Sequence, residues 1–317
     1  MKKVLLIAGG GTLGTYTAKE LLRLGHKVDI ICLEDYVSDN ENLKYYNGYA
    51  TYTYLEKLFE SEHYDGIINF IHYVDVEEYK KVYKLLIKNC RHLIFLSSYR
   101  VYADLKHPIK ETSPLLLDVV ENKDFEATET YAVCKTKAER FLNEECKGDG
   151  WTVVRPVISF SKFRFDLFVY NLSKTGQYVI ECAKSGIPVV LPESAKQLIA
   201  GLDWAGNTGK LIANLMFKKE TFGETYTVSS AQNLTWGEVA DMYTELLGLK
   251  VEYMPTEEYI KRFYPINQNW GFWYDRNYSR MIDNTKILKV TGIKKEDLLP
   301  IKEGLKIELE LYKKEKE

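Results

Sequence analysis

The stretch that most constrains this chain is its beginning. Residues 3–8 (KVLLIA) are a continuous apolar run, residues 9–11 are three glycines, and apolar side chains then recur at helical spacing through LGTYTAKELLRLG. A short apolar run bounded by turn residues reads as a strand buried on both faces. Lys2 and Lys3 before an apolar run mimic a secretion signal, but the run is too short and leads straight into glycines and an amphipathic segment. A glycine turn from strand into helix lets the backbone approach a pyrophosphate, and the helix N-terminus offers free N–H groups with a partial positive charge. In IAGGGTLG (7–14), the frame G-x-x-G-x-x-G ending at Gly14 puts Gly11 in the middle and Ala8 where a first glycine belongs. The candidate contacts are Ala8, Gly9, Gly11, Thr12, Leu13 and Gly14.

The rest of the first half repeats this rhythm. Apolar runs at 27–33, 65–71, 92–98 and 151–159 alternate with helical patterns at 76–90 and 126–147. Such alternation implies right-handed crossovers and a doubly wound parallel sheet covered on both faces, an α/β fold. After residue 160 helical segments dominate, at 163–175, 203–217, 235–248 and 301–315, with strand-like pieces at 187–191, 224–229 and 250–254. The expected division is therefore a dinucleotide-binding domain over 1–160 and a smaller α/β substrate lobe over 161–317, with some segments of the second half returning to the sheet.

The formal net charge is -2, with 43 Lys and Arg against 45 Asp and Glu, so no basic face for nucleic acid is expected. Cys32, Cys90, Cys134, Cys146 and Cys182 are scattered without a C-x-x-C pair, the pattern of reduced thiols in a cytoplasmic protein. The five histidines lack metal-ligand spacing, and no metal is expected. No run approaches a membrane span of roughly 20 apolar residues. At the end of the second strand, where an acidic residue holds the ribose of NAD, stands Cys32, with Glu34 and Asp35 just after. No Arg or Lys lies between 28 and 36 to meet a 2′-phosphate, which favours NAD and leaves NADP open.

Three Tyr-x-x-x-Lys pairs occur: Tyr102/Lys106, Tyr131/Lys135 and Tyr170/Lys174. Context separates them. The first precedes Pro108 in a segment without helical periodicity, and the second lies inside the predicted helix 126–147, where residues four apart share a face. The third follows the strand ending near Ser159 and is stopped by Gly176. Tyr131 and Lys135 are thus the candidate pair, and Ser98, at the C-terminal end of an apolar strand, completes it. A tyrosine of unperturbed pKa about 10 is a poor base at neutral pH. A neighbouring ammonium favours its phenolate, and the serine hydroxyl can hold the reacting oxygen.

With these parts in order, the sequence resembles the extended short-chain dehydrogenase/reductases, the NAD-dependent epimerase/dehydratase family. IAGGGTLG is similar to the cofactor loop, SSYRVYA (97–103) to the serine strand, YAVCK (131–135) to the tyrosine-lysine pair, and VVRPVIS (153–159) to the Arg-Pro strand end. GLDWAGNTGKLI (201–212), YTVSSAQNLTWGEVADMYTELLG (226–248) and MIDNTKILKVTGI (281–293) resemble segments of the family's second half. The resemblance implies a Rossmann domain binding NAD(P), with Ser98, Tyr131 and Lys135 catalytic. It adds Ile71, Pro156 and Ile158 to the expected cofactor contacts, alongside Cys32, Tyr131 and Lys135. The implied substrate is a small molecule, often a nucleotide sugar oxidised to a transient ketone, touched by Ser98, Tyr99, Arg100 and Arg276. A homodimer is a further implication.

The dehydratases of the family carry Asp-Glu where this chain has Tyr99 and Arg100, and decarboxylating members have a glutamate at Arg100, so neither elimination nor decarboxylation is expected. Arg100 meets either an anionic substrate or a surface carboxylate. The aromatic cluster 270–278 (WGFWYDRNY) reads first as lobe packing. Two other functions stay in view: a carbonyl reductase of a non-nucleotide substrate, and a non-catalytic RNA-binding relative.

Overall fold

A computed structural model of the chain describes residues 1–168, 176–264 and 270–316. The strands are β1 (Lys3–Ile7), β2 (Lys27–Cys32), β3 (Leu43–Asn47), β4 (Gly66–Asn69), β5 (His92–Leu96), β6 (Trp151–Pro156), β7 (Ile158–Phe160), β8 (Val189–Pro192), β9 (Leu202–Trp204), β10 (Glu224–Val228) and β11 (Val251–Met254). The helices are α1 (Thr12–Arg23), α2 (Tyr52–Ser61), α3 (Val76–Lys88), α4 (Leu116–Val119), α5 (Lys123–Thr128), α6 (Tyr131–Glu145), α7 (Tyr178–Ser185), α8 (Ala205–Ala213), α9 (Trp236–Leu247), α10 (Thr256–Phe263), α11 (Thr285–Thr291) and α12 (Ile301–Lys314).

Among the described residues, seven strands form one parallel sheet in the order β10-β6-β5-β4-β1-β2-β3. Alternate residues of each strand face opposite layers. Val4, Leu6, Val28, Ile30, Ile68, Ile94 and Val154 pack with Ala18 and Leu21 of α1 and Leu211 and Ile212 of α8. Their neighbours Leu5, Ile7, Ile31, Ile67, Leu93, Phe95 and Val153 pack with α2, α3 and α6 through Leu55, Val82, Leu86, Phe141 and Leu142. Burial on both faces explains why these strands read as unbroken apolar runs. The strand order reverses between β1 and β4, the switch point at which open α/β sheets leave a crevice beyond their strand ends.

The second half sends β10 back to the sheet edge beside β6, in register from Glu224 opposite Thr152. The remaining strands make two small pairs, β7 with β9 and β8 with β11. A separate core of Phe160, Phe168, Val189, Trp236, Tyr243, Tyr259 and Phe272 lies among α7, α9, α10 and α12.

Two helical expectations change. The predicted helix 126–147 is two helices, α5 and α6, with a break at Glu129 and Thr130. Tyr131 is therefore the first residue of α6, not an interior one. The Glu129 carboxylate accepts from the N–H groups of Ala132 (2.6 Å) and Val133 (3.2 Å), so it caps the new helix and ends the old one. Residues 163–168, expected to be helical, form turns and a bridge instead. The remainder of that predicted helix, with Tyr170 and Lys174, lies outside the described residues. Among the described residues no helix is long and apolar enough to cross a membrane.

Candidate active site

The glycine turn is built by close packing. A Cβ placed on Gly14 would lie 2.2 Å from the Gly9 carbonyl oxygen, so the first turn of α1 can sit on the loop only if residue 14 is glycine. Gly9 faces inward against Leu6 and Ile30 and donates to the Ile31 carbonyl at 3.1 Å. Gly11 differs, since a Cβ there would meet nothing within 4 Å. No side chain caps α1, which leaves its first N–H groups facing that open space. Ala8, in the first-glycine position, holds a left-handed φ of 57°. The backbone keeps the glycine conformation although the residue has a methyl group.

Two cavities meet at this loop and share Ala8 and Gly11. One, about 420 Å³, is lined by Gly10, Ile31, Cys32, Leu33, Glu34, Tyr49, Thr51, Ile71 and Glu78. Glu34 reaches back over Gly10, its Oε2 lying 2.8 Å from where a Gly10 Cβ would be. Cys32 contributes a thiol that donates to the Glu34 carbonyl at 3.4 Å, so the carboxylate that follows β2 comes two residues later than the usual position.

The other cavity, about 380 Å³, is lined by Thr12, Leu13, Gly14, Phe70, Ser98, Tyr99, Arg100, Tyr131, Pro156, Ile158, Ser159, Arg164, Asp275 and Arg276. Ser98 follows β5, and its Oγ accepts from the Arg100 N–H at 3.2 Å, closing a single 3₁₀ turn over Tyr99–Val101. That turn points Tyr99 inward, where its hydroxyl donates to Asp275 at 2.5 Å, and sets Arg100 beside the cavity. Tyr131 opens α6 with its ring 4.8 Å from the His72 ring and 4.8 Å from the Arg100 guanidinium.

Lys135, one turn further along α6, is 2 % exposed. Its ammonium donates to the carbonyls of Leu96 (2.5 Å) and Ile71 (3.1 Å), the ends of β5 and of the segment after β4. Burial drags its pKa down to about 7, against a smaller upward pull from Glu139. Glu139, a turn beyond, forms a buried ion pair with Arg155 of β6, which fixes α6 across the sheet. His72 is half-buried, and desolvation, with Lys135 and Arg100 adding to it, lowers its pKa to about 4. It is neutral at physiological pH.

The structure thus brings Ser98, Tyr131, Pro156, Ile158, Tyr99, Arg100 and Arg276 to one cavity, with Lys135 beneath it, and puts Cys32 and Ile71 in its neighbour. Tyr102 does not join them. It is buried with its hydroxyl on Thr227 (2.6 Å), while Lys106 is exposed. Arg100 is no surface residue: it pairs with Glu129 at 3.0 Å and Asp275 at 3.5 Å, both carboxylates being buried. In the aromatic cluster, Trp270 and Tyr274 pack on Phe125, and Phe272 enters the second core, as packing requires. Asp275 and Arg276 of the same segment face the cavity. Phe70, His72, Arg164 and Asp275 were not foreseen. For His72 and Asp275 the sequence carries no signal, since only the fold sets them beside Tyr131 and Arg100.

A sequence profile of the NAD dependent epimerase/dehydratase family matches residues 5–199. No curated protein sequence matches the chain. Solved structures similar in fold include UDP-glucose 4-epimerase with UDP-glucose from Thermotoga maritima, with 17% identity and a TM-score of 0.72 over 99% of this chain and 100% of that one. Another is UDP-glucose 4-epimerase from Thermus thermophilus in complex with NAD, at 16% identity and a TM-score of 0.70 over 98% and 99%. A third is the epimerase Mth375 from Methanothermobacter thermautotrophicus, at 16% and 0.71 over 99% and 94%. At such identities the likeness speaks for the fold, and the profile, which spans more than half of the chain, assigns the family. This chain belongs to the NAD-dependent epimerase/dehydratase family.

Proposed function

We propose that the protein is an NAD-dependent oxidoreductase of the epimerase type that oxidises a hydroxyl carbon of a nucleotide sugar to a transient ketone and reduces it again. The observation that carries this reading is that two cavities share Ala8 and Gly11 at the glycine turn, with Ser98 and Tyr131 lining one and Glu34 the other; we read them as one trough. The residues fit a dinucleotide. Gly11 leaves space at the uncapped start of α1 for a pyrophosphate, and Glu34 is an acceptor for ribose hydroxyls in a cavity without Lys or Arg. That carboxylate disfavours a 2′-phosphate, which supports NAD over NADP.

When bound, NAD accepts and returns the hydride. Tyr131 takes the proton of the substrate hydroxyl as its C–H bond breaks and gives it back on reduction. Ser98 donates to the same oxygen and fixes its distance from Tyr131. Reduction of the ketone on its opposite face would invert the carbon. Arg164 and Arg276 line this cavity and share the buried Asp166 carboxylate, and the excess positive charge of that cluster suits the diphosphate of a nucleotide sugar. Tyr99 and Arg100 leave no carboxylate at the dehydratase positions, which supports epimerisation over elimination.

The test is to give NAD-loaded protein UDP-glucose or UDP-glucuronic acid and follow absorbance at 340 nm and the sugar by proton NMR. The reading predicts a changed sugar stereocentre without net NADH, and a loss of about 10²–10⁴-fold in Tyr131→Phe. Reduction of simple ketones with no turnover of any nucleotide sugar would sink the substrate class. Salt-sensitive binding of structured RNA, with Tyr131→Phe fully functional, would sink the enzyme reading.

A further inference from the structure

We propose that Glu308 of the C-terminal helix is a positioning residue for Arg164: it ties the turn 161–164 to α1 and so fixes where the arginine enters the cavity. The inference rests on that cavity taking a nucleotide sugar whose diphosphate Arg164 meets.

The geometry begins with Gly304. A Cβ there would lie 2.6 Å from the Trp204 side chain, so α12 can rest on Trp204 only because residue 304 is glycine. One turn later on the same face, Glu308 is fully buried and reaches three segments at once. Its Oε1 accepts from the Trp204 indole N–H at 2.6 Å and from the Tyr16 hydroxyl of α1. Its Oε2 accepts from the Lys162 backbone N–H at 2.7 Å. Burial, and then Glu308 itself, hold the Tyr16 pKa well above its ordinary value, so the phenol stays a donor. One carboxylate thus joins the last helix, the first helix and the end of β9 to a single turn of chain.

That turn closes on itself. Ser161 and Arg164 exchange both backbone hydrogen bonds, at 3.0 and 2.8 Å, and Ser161 Oγ accepts from the Phe163 N–H at 3.3 Å. The same Oγ lies 2.9 Å from the hydroxyl of Thr12, the first residue of α1. Lys162 is held by its side chain as well, on Glu315 two turns further along α12. With residues 161 and 162 fixed against α1 and α12, the closed turn sets residue 164, whose side chain lines the cavity with Thr12, Ser98 and Tyr131. The ion pair of Arg164 Nε with Asp166, at 2.5 Å, leaves that side chain half exposed. An arginine so exposed gives up rotamer freedom when it meets a ligand, and a fixed backbone beneath it limits that loss. The Lys162–Glu315 pair is itself half exposed and adds little, so the buried Glu308 is the tie that counts.

Calorimetric titration of UDP into the NAD-loaded full chain tests this as a double-mutant cycle of wild type, Arg164→Met, Glu308→Gln and the double variant. Arg164→Met should weaken UDP binding about tenfold, the loss of one charge-assisted contact. Glu308→Gln leaves one carbonyl oxygen for three donors and should weaken UDP by about three- to tenfold. In the Arg164→Met background the same Glu308→Gln change should cost less than about twofold, because the residue it positions is gone. A carboxylate that only holds the fold together would lower the melting temperature and leave UDP affinity alone, or would weaken UDP equally in both backgrounds. Either result overturns the proposal. If circular dichroism finds Glu308→Gln misfolded, Glu308→Asp, which keeps both acceptors at shorter reach, takes its place in the cycle under the same criteria. Wild-type protein that does not bind UDP, or Arg164→Met that binds it as the wild type does, sinks the reading of the cavity, and the proposal with it. The first comparison thus judges the cavity and the second judges Glu308.

Discussion

Lys135 is an ammonium that water would hold better than the fold does. Its ordinary pKa is 10.5, and burial brings it to about 7. A base depressed in this way contributes stability that is fully present above about 10.5 and is lost as pH falls toward about 7. At neutral pH the native state therefore carries a penalty for keeping the residue at the foot of the cavity, a common cost of functional sites. Urea unfolding at stepped pH values checks this: Lys135→Met should be the more stable protein at pH 7, by about 1–3 kcal/mol. The gap should close toward pH 10. A difference that is flat with pH would mean that the lysine is solvated after all. The residue type and its spacing from Tyr131 were legible in the sequence, but its burial was not, because that depends on where β4 and β5 end.

At the scale of elements, the break between α5 and α6 matters most to the site. Periodicity carries on through residues 126–147, so the sequence reads as one helix. What divides it is Glu129, whose carboxylate serves the N–H groups of Ala132 and Val133 and also holds Arg100. A glutamate acting as a cap from two residues before the helix has no pattern that would announce it. Glu129→Ala should cost about 1–2 kcal/mol from the lost cap, and more from the unpaired Arg100. Chemical denaturation measures the two together. Unchanged stability would show that α6 starts without it. The strands β1, β2, β4, β5 and β6, by contrast, were legible to within about three residues, because apolar runs of this length fit a sheet buried on both faces, whereas the polar β3 and the short β9 were not foreseen.

Over the whole molecule, the sheet and the second half are joined by buried polar contacts that set an acid limit. His92 in β5 accepts from the Phe217 N–H at 2.9 Å and pairs with Thr152 of β6 at 2.8 Å, so the ring has to stay neutral. Burial depresses its pKa to about 3. This stability is whole above the ordinary value of about 6.5 and is lost as pH falls from there toward 3, a window that His72, at about 4, shares. The melting temperature should therefore fall between pH 6.5 and 4, and less steeply in His92→Gln. Equal slopes in the two proteins would refute the assignment. The family resemblance and the return of some second-half segment to the sheet were legible, whereas which segment returns, β10, and how Arg100 is held between Glu129 and Asp275 are products of tertiary packing.

The central claim is that the two cavities meeting at Gly11 form one dinucleotide trough. Gly11→Asp tests it most directly. The position has extended backbone at the N-cap of α1 and open space around it, so an aspartate is sterically accepted and caps the helix well. Its carboxylate would occupy and repel the pyrophosphate position. Wild-type protein should show a rise in melting temperature with added NAD. The variant should melt at the wild-type temperature or above without NAD and show no rise with it. A variant that still responds to NAD as the wild type does would contradict the account.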